Sequence, residues 1–439
     1  MEKVALLSLI IEWQKIVSEN MGIVRSYQND LLDIMGSKPI KIITGFRRSG
    51  KSFLVQKTLA SLIADQKVDP KNVLYLNFED FRLSTIYNAE CLNDAVQLFM
   101  NEIAKPGRLI LVFDEIQLVQ GWDKLVRTLY EKHRNMDIVI TGSNSELLSS
   151  ELGSNLAGRF ISLEILPFDF KEFLCLRNIK IATSMEYLEN EAEIETLFSE
   201  YLQYGGLPEV SSIQTASAKQ SYLQGVVSKV ILDDIVKRFH IRHASVIEQL
   251  LRYLFMGIGN IVSLKKISEH LNASGFSVKY GTVSGFVQNI LQTFALFPLE
   301  KFDYKQSRVF STMKKYYAVD HGFAVLYGGY LPLYSKLLEN AVFLKLKRSA
   351  MPVYYGRHDS GKEIDFITTE NHRFMNNYQV STSLNESNVD RELSSFATID
   401  RYIARGNHIL LTNERKEEIL EYAGLKIEKR NIIRWLLDL

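Results

Sequence analysis

Ile40-Lys41-Ile42-Ile43-Thr44-Gly45-Phe46-Arg47-Arg48-Ser49-Gly50-Lys51-Ser52 is the stretch whose reading decides the fold. The apolar run 40–44 predicts a buried strand, the glycine-framed turn fits G-x-x-x-x-G-K-[ST], and Phe53 to Ile63 continues as a helix. The spacing has a chemical reason. Small residues let successive backbone N–H groups wrap a phosphate at a helix N-terminus, where unpaired donors and the helix dipole favour an anion. Lys51 then reaches the β- and γ-phosphates and Ser52 holds Mg²⁺. Gly45, Phe46, Arg47, Arg48, Ser49, Gly50, Lys51, Ser52 and Phe53 are the expected nucleotide contacts, with ATP and Mg²⁺ as cofactors.

Such a loop needs a second apolar strand ending in acids. Leu109-Ile110-Leu111-Val112-Phe113-Asp114-Glu115 supplies it, Asp114 to hold Mg²⁺ through water and Glu115 to polarise the attacking water. One strand later, Ile138 to Thr141 leads into Gly142-Ser143-Asn144, where Ser143 or Asn144 is either a γ-phosphate sensor or part of a helix N-cap for Ser145 to Leu148. Arg159 precedes an expected fifth strand, Phe160 to Ile165; it is a candidate arginine finger facing a neighbour's nucleotide, or a cation drawn to a helix C-terminus. Strands at Val73 to Phe78 and helices at Cys91 to Ile103 and Trp122 to Lys132 complete an alternation that predicts a parallel sheet covered on both faces.

The remaining composition bounds the problem. At 439 residues the chain has room for about three domains, which excludes a small disulfide-stapled module. Lys and Arg number 52 against 51 Asp and Glu, so any nucleic-acid surface has to be a local patch. Cys91 and Cys175 are too few for a disulfide framework, which fits a reducing compartment. Val4 to Ile11 is too short to span a bilayer, lacks a small-residue cleavage site and reads as a packed helix. A cytoplasmic protein without membrane association is expected.

Beyond the expected core, helical patterns run from Phe170 to Phe239, broken by Gly205-Gly206-Leu207-Pro208. Val246 to Met256, Leu264 to Leu271 and Val283 to Thr293 read as three helices, followed by strands at Phe297 to Phe302 and Lys315 to Val319, the order of a winged helix-turn-helix. Val278 to Leu291 is the expected recognition helix, with Lys279, Tyr280, Thr282, Ser284 and Gln288 available to a DNA groove. Lys301, Lys305, Arg308, Lys314 and Lys315, opposed by Glu300 and Asp303, form an expected basic patch for phosphates. The same module can instead dock a protein. From Tyr334 a last α/β unit begins: a helix at Ser335 to Lys347, strands at Val353 to Tyr355, Ile364 to Thr368 and Tyr378 to Thr382, a helix near Arg391 to Arg401, and a strand at His408 to Thr412.

GFRRSGKS (45–52), LNFED (76–80), LVFDEIQ (111–117), ITGSN (140–144), LAGRF (156–160), Leu166-Pro167-Phe168, Lys171-Glu172-Phe173 and YGGLPEV (204–210) together resemble the bacterial and archaeal AAA+ related ATPases of the STAND group. Members carry a C-terminal domain similar to restriction endonucleases. The resemblance implies Lys51, Ser52, Asp114 and Glu115 as the nucleotide site, Ser143 as sensor, and Gly206-Leu207-Pro208 in a helical lid that closes on the nucleotide. It also implies an α/β fold: an N-terminal helical segment (1–37), a parallel-sheet P-loop ATPase core (38–166), the lid (167–240), a winged helix (241–330) and a small nuclease-like domain (331–439). In that last domain Glu339 and Asp365 fit two metal-binding positions, or are ordinary surface acids. Gln379-Val380-Ser381 stands where the nuclease pattern has E-x-K, so one ligand is neutral and the lysine is missing, and no nuclease activity is expected. The expected function is an ATP-hydrolysing, homo-oligomeric switch or motor acting on DNA, branched or foreign DNA included. The alternative is a nucleotide-regulated scaffold for a protein partner.

Overall fold

The computed structural model describes residues 2–19, 22–148, 156, 158–241, 244–302, 313–358, 360–370, 374–400 and 406–439. These residues form two compact units, Met1–Ile165 with Gln292–Phe294, and Leu166–Leu291 with Ala295–Leu439.

The first unit is built on five parallel strands: β1 (Ile40–Thr44), β2 (Val73–Asn77), β3 (Leu109–Asp114), β4 (Met136–Gly142) and β5 (Phe160–Glu164), in the order β2-β3-β4-β1-β5. Successive side chains point to opposite faces of a strand, and both faces here are apolar. Leu74, Leu76, Leu111, Phe113, Ile138 and Ile140 pack with the helices Ala89–Glu102 and Trp122–Lys132 on one face. Val73, Tyr75, Ile110, Val112 and Val139 pack with Leu54, Val55, Leu59 and Leu62 of the helix Lys51–Ala64 on the other. The N-terminal helix, Lys3–Ser18, buries Leu6, Leu9 and Ile10, as expected of a packed segment. Because every strand runs the same way, the C-terminal ends of β1, β3 and β4 lie side by side, with Thr44 opposite Gly142 and Phe113 opposite Ile140. That edge is where an open parallel sheet presents its loops to a ligand.

The second unit opens with helices Phe170–Leu176, Ser184–Glu189, Glu191–Tyr204, Pro208–Ser212 and Ala216–Lys229, the last running into a π-helical turn at Val230–Lys237. Asp169 with Glu172, and Thr183 with Glu186, are reciprocal capping boxes that start the first two. The break at Gly205-Gly206 has a physical cause. Gly205 has φ +85, a Cβ there would meet Asp320 Oδ1 at 1.7 Å, and Gly206 N–H donates to Asp320 Oδ2 at 2.8 Å. Asp320 also caps the helix His321–Gly328 by accepting from Gly322 N–H at 2.9 Å.

Three helices follow, Ala244–Met256, Leu264–Ala273 and Tyr280–Gln292, interleaved with β6 (Ile261–Val262), β7 (Leu296–Lys301) and β8 (Lys314–Ala318). The chain continues through the helix Tyr330–Arg348, β9 (Val353–Arg357), β10 (Glu363–Glu370), β11 (Phe374–Val380), the helix Val389–Asp400, β12 (Gly406–Thr412), β13 (Glu418–Tyr422), β14 (Leu425–Asn431) and a last helix at Ile432–Leu436. All nine strands form one sheet, β13-β14-β12-β11-β10-β9-β7-β8-β6, because β7 pairs in parallel with β9. An extra residue in β10 shifts its register against β9 between Ile364 and Ile367.

His321 is 1% exposed beside the Tyr201 ring, and neither of its ring nitrogens has a hydrogen-bond partner among the described residues. Burial pushes its pKa down to about 3. The unfolded chain, with an ordinary histidine near 6.5, takes up a proton that the folded chain refuses, so stability contributed here is present above about pH 6.5 and is lost as pH falls from there towards 3. His321→Phe is expected to flatten the acid limb of a plot of melting temperature against pH in that window, by at most about 1.4 kcal/mol per pH unit. An unchanged acid limb would contradict this account.

Candidate nucleotide site

The loop after β1 is shaped by backbone that side chains would obstruct. Gly45 has φ +143, and a Cβ there would lie 2.2 Å from Ile165 O. Arg48 and Gly50 have φ of 64 and 92. Gly50 is the N-cap of the helix Lys51–Ala64, and no side chain caps it. The first intrahelical bond recorded is Leu54 N–H to Gly50 O, at 2.9 Å, which leaves the N–H groups of Lys51, Ser52 and Phe53 ahead of the ladder. These donors and the positive helix end fit a phosphate.

Lys51 is buried, and its Nζ donates to Gly45 O and Phe46 O, both at 3.1 Å, with Glu115 Oε1 at 3.8 Å. Burial lowers its pKa, against the pull of Glu115 and Asp114. An ammonium held by its own loop's carbonyls is cheap to redirect towards an anion that supplies full charge. Ser52 Oγ donates to Asp114 Oδ1 at 3.0 Å. This pair fits Mg²⁺ chemistry: a hydroxyl and a hard carboxylate within one cation's reach.

Asp114 is held by more than Ser52. Tyr75 OH donates to its Oδ2 at 2.6 Å and Thr141 Oγ1 donates to its Oδ1. Burial pushes the Asp114 pKa up, and the donors Thr141, Tyr75 and Ser52 pull it down. Thr141 Oγ1 also accepts Glu115 N–H at 3.0 Å, so a single hydroxyl on β4 holds both Asp114, the last residue of β3, and Glu115 directly after it. Glu115 has φ 54, a strained conformation for a residue with a side chain, and Gln117 Nε2 donates to its carboxylate.

Ser143 and Asn144 are buried at the end of β4, with a single 3₁₀ turn at Ser145–Leu148 directly after them. Arg159 lies at the opposite end of the sheet from the loop, where its carbonyl accepts Ile40 N–H at 2.8 Å and its guanidinium is 3.6 Å from Glu131. The strand between gives a separation of roughly 16 Å, at about 3.3 Å per residue. Arg159 is therefore out of reach of its own chain's phosphates.

Sequence reasoning passed over Tyr75 and Thr141; the signal was a hydroxyl in an otherwise apolar strand. It also passed over the segment before the helix Tyr27–Ile34. Arg25 Nη1 donates to Ser49 O at 2.7 Å, and Gly22 lies so close to the Phe53 ring that a Cβ would meet it at 1.7 Å.

In the second unit, Lys279, Tyr280, Thr282 and Gln288 are exposed and Ser284 half-buried, while Val283, Val287 and Ile290 face the core; Tyr280, Ser284 and Gln288 follow one another along the helix, with Thr282 turned to a different side. Lys305 and Arg308 lie outside the described residues. Lys314 pairs with Glu300 at 2.8 Å. Lys315 corrects the expected basic patch. It is fully buried, turned away from solvent by the alternation of β8, with Nζ 2.7 Å from Glu363, 3.1 Å from Glu339 and 3.5 Å from Asp365. Glu339 and Asp365 are accordingly not surface acids: they are 4% and 7% exposed. Burial alone would push Lys315 down, but Glu339, Asp365 and Glu363 outweigh it and hold the ammonium well above its ordinary range. Burial, then Glu339, pushes Asp365 up to about 7. Gln379 Nε2 donates to Glu392 Oε2 at 3.0 Å, and Ser381 Oγ to Ser383 O at 3.0 Å. Among the described residues no three His, Cys, Asp or Glu side chains are arranged to hold a metal ion, and no helix is long and apolar enough to cross a membrane.

Residues 37–174 match the family described as "AAA domain", and residues 195–329 a domain of unknown function. A Walker-type ATPase of Pyrococcus abyssi shares 15% identity, with 70% of this chain and 96% of that one covered, at a TM-score of 0.49. An uncharacterized protein of Haemophilus influenzae is 33% identical over 78% of this chain and 82% of its own length. One of Methanocaldococcus jannaschii is 30% identical over 88% and 85%. The chain belongs to the family of these Haemophilus and Methanocaldococcus proteins, and its residues 37–174 match the AAA domain family.

Proposed function

We propose that this chain binds and hydrolyses ATP with Mg²⁺ at the loop 45–53, and that turnover drives work on DNA. The observation that carries the reading is the convergence of Ser52 and Lys51, at the start of one helix, on Asp114 and Glu115, at the end of β3. Bound Mg²⁺ would neutralise charge developing on the transferred phosphoryl group. The chain's residues do the rest. Lys51 turns from its loop carbonyls to the phosphate oxygens, Ser52 and Asp114 orient the cation, and Glu115, fixed through Thr141 and Gln117, accepts a proton from water in line with the γ-phosphate. Ser143 and Asn144 adjoin that position as sensors. Arg159, far from its own loop, serves a neighbouring subunit in a homo-oligomer.

The DNA reading is supported by the three helices with the antiparallel strands β6, β8 and β7, the element order of a winged helix, and by the exposure of Lys279, Tyr280, Thr282 and Gln288 at and after the start of the third helix. The helices of 167–240 are proposed as the lid, and 331–439 as a nuclease-like domain that does not cleave.

Lys51→Ala is expected to abolish ATP binding, measured with a fluorescent nucleotide, whereas Glu115→Gln keeps binding and loses turnover. Normal hydrolysis by Lys51→Ala would refute the site. Arg159→Ala should bind ATP normally and turn it over slowly, by a factor on the order of 10³ if the finger acts in trans. Mixing it with Lys51→Ala chains should recover part of the activity, and a fully active monomer would exclude the trans role. Lys279→Glu with Lys301→Glu should weaken DNA binding and reduce its salt slope by about one counterion per lost contact, leaving ATP binding intact. Unchanged affinity and slope would transfer this face to a protein partner.

A further inference from the structure

The three carboxylates around Lys315 come from two elements that meet only through the fold. Glu363 and Asp365 are two apart on β10, beside the one-residue register shift against β9, and such bulges re-aim side chains. Glu339 comes from the helix Tyr330–Arg348, where Lys336 Nζ is 2.7 Å from its second oxygen and Tyr317 OH donates at 2.6 Å to its first. A cavity of about 480 Å³ opens onto Glu339, Glu363 and Asp365 from the solvent side, between Lys336, Gln379 and Arg391. Lys315 fills the same point from behind, from β8.

We propose that Lys315 is the resident cation of this centre, its ammonium balancing the charge of Glu339, Glu363 and Asp365, which around it stand too far apart for a divalent metal ion. The stoichiometry fits. An ammonium has three N–H donors, and three carboxylates lie 2.7, 3.1 and 3.5 Å from Nζ. Carboxylates gathered in a buried site need a cation to remain ionised together. A lysine covalently tied into a central strand provides one without metal, at N···O distances of 2.7–3.5 Å, longer than the roughly 2.0–2.6 Å that Mg²⁺ or Ca²⁺ would demand. The centre therefore needs neither the acid nor the lysine absent at Gln379 and Ser381, because Lys315 supplies its positive charge. This inference is independent of the nucleotide site, which lies in the other unit.

The test is Mn²⁺ binding by nucleotide-free full-length protein, followed by electron paramagnetic resonance of the free ion, in wild type and Lys315→Met. Lys315→Met vacates the position while keeping apolar length, and is expected to bind one additional Mn²⁺ at least tenfold more tightly than any site in wild type; adding Asp365→Asn should remove that gain. Any binding at the phosphate loop is common to all variants and cancels. Should Lys315→Met fail to fold in EDTA, Mn²⁺ or Ca²⁺ is expected to restore its melting transition, since the metal supplies the missing charge. A folded Lys315→Met with no added site, an unfolded one that neither ion rescues, or a wild-type Mn²⁺ site abolished by Asp365→Asn would each overturn the proposal.

Discussion

The carboxylate of Asp114 is the point on which the first unit closes. It sits at the end of β3, buried, and takes hydrogen bonds from Ser52 after β1, Tyr75 on β2 and Thr141 on β4. A buried charge left short of partners costs several kcal/mol, so these donors lock the ends of four strand connections into one geometry. The parallel sheet makes that possible, since only strands running the same way bring all four ends to one edge. The phosphate loop then inherits its shape from a network made by the chain alone.

How the chain treats buried cations separates holding from waiting. Lys41, at the other end of β1, donates to Asp137, which Arg108 also engages. Lys315 is surrounded by three acids. Lys51 has two backbone carbonyls and a long ion pair at 3.8 Å. Carbonyls are the weaker partners for an ammonium, and the lysine so held is the one placed to gain most from an incoming phosphate.

Much of this was legible in the sequence, for identifiable reasons. The inner strands of the first unit read as largely apolar runs because both their faces are covered, whereas β5, at the edge of the sheet, leaves Ile161 and Ser162 exposed. The loop carries glycines that its φ values require. The outer face of Tyr280–Gln292 follows from helical spacing, with Val283, Val287 and Ile290 turned in. Lys315 was misread because Lys314-Lys315-Tyr316-Tyr317 offers no local alternation to say which lysine turns inward; its partners lie 24, 48 and 50 residues downstream. Arg25 carried no signal at all, since a lone arginine in a connecting segment gives no hint of the carbonyl it will meet. β13 and β14 alternate clearly around Ala423-Gly424 and reward a reading that continues past Thr412.

The pairing of β7 with β9 has a consequence for how this chain can be cut. β7 has a partner on each side, β8 by an antiparallel ladder and β9 by a parallel one. Phe297 on β7 packs tilted against Phe343 of the helix Tyr330–Arg348, and Tyr317 on β8 stacks on the same ring. A fragment ending at residue 330 would lose β9 and Phe343, baring the Glu300–Lys301 end of β7 together with two aromatic rings. An open edge of that kind is a template for another strand.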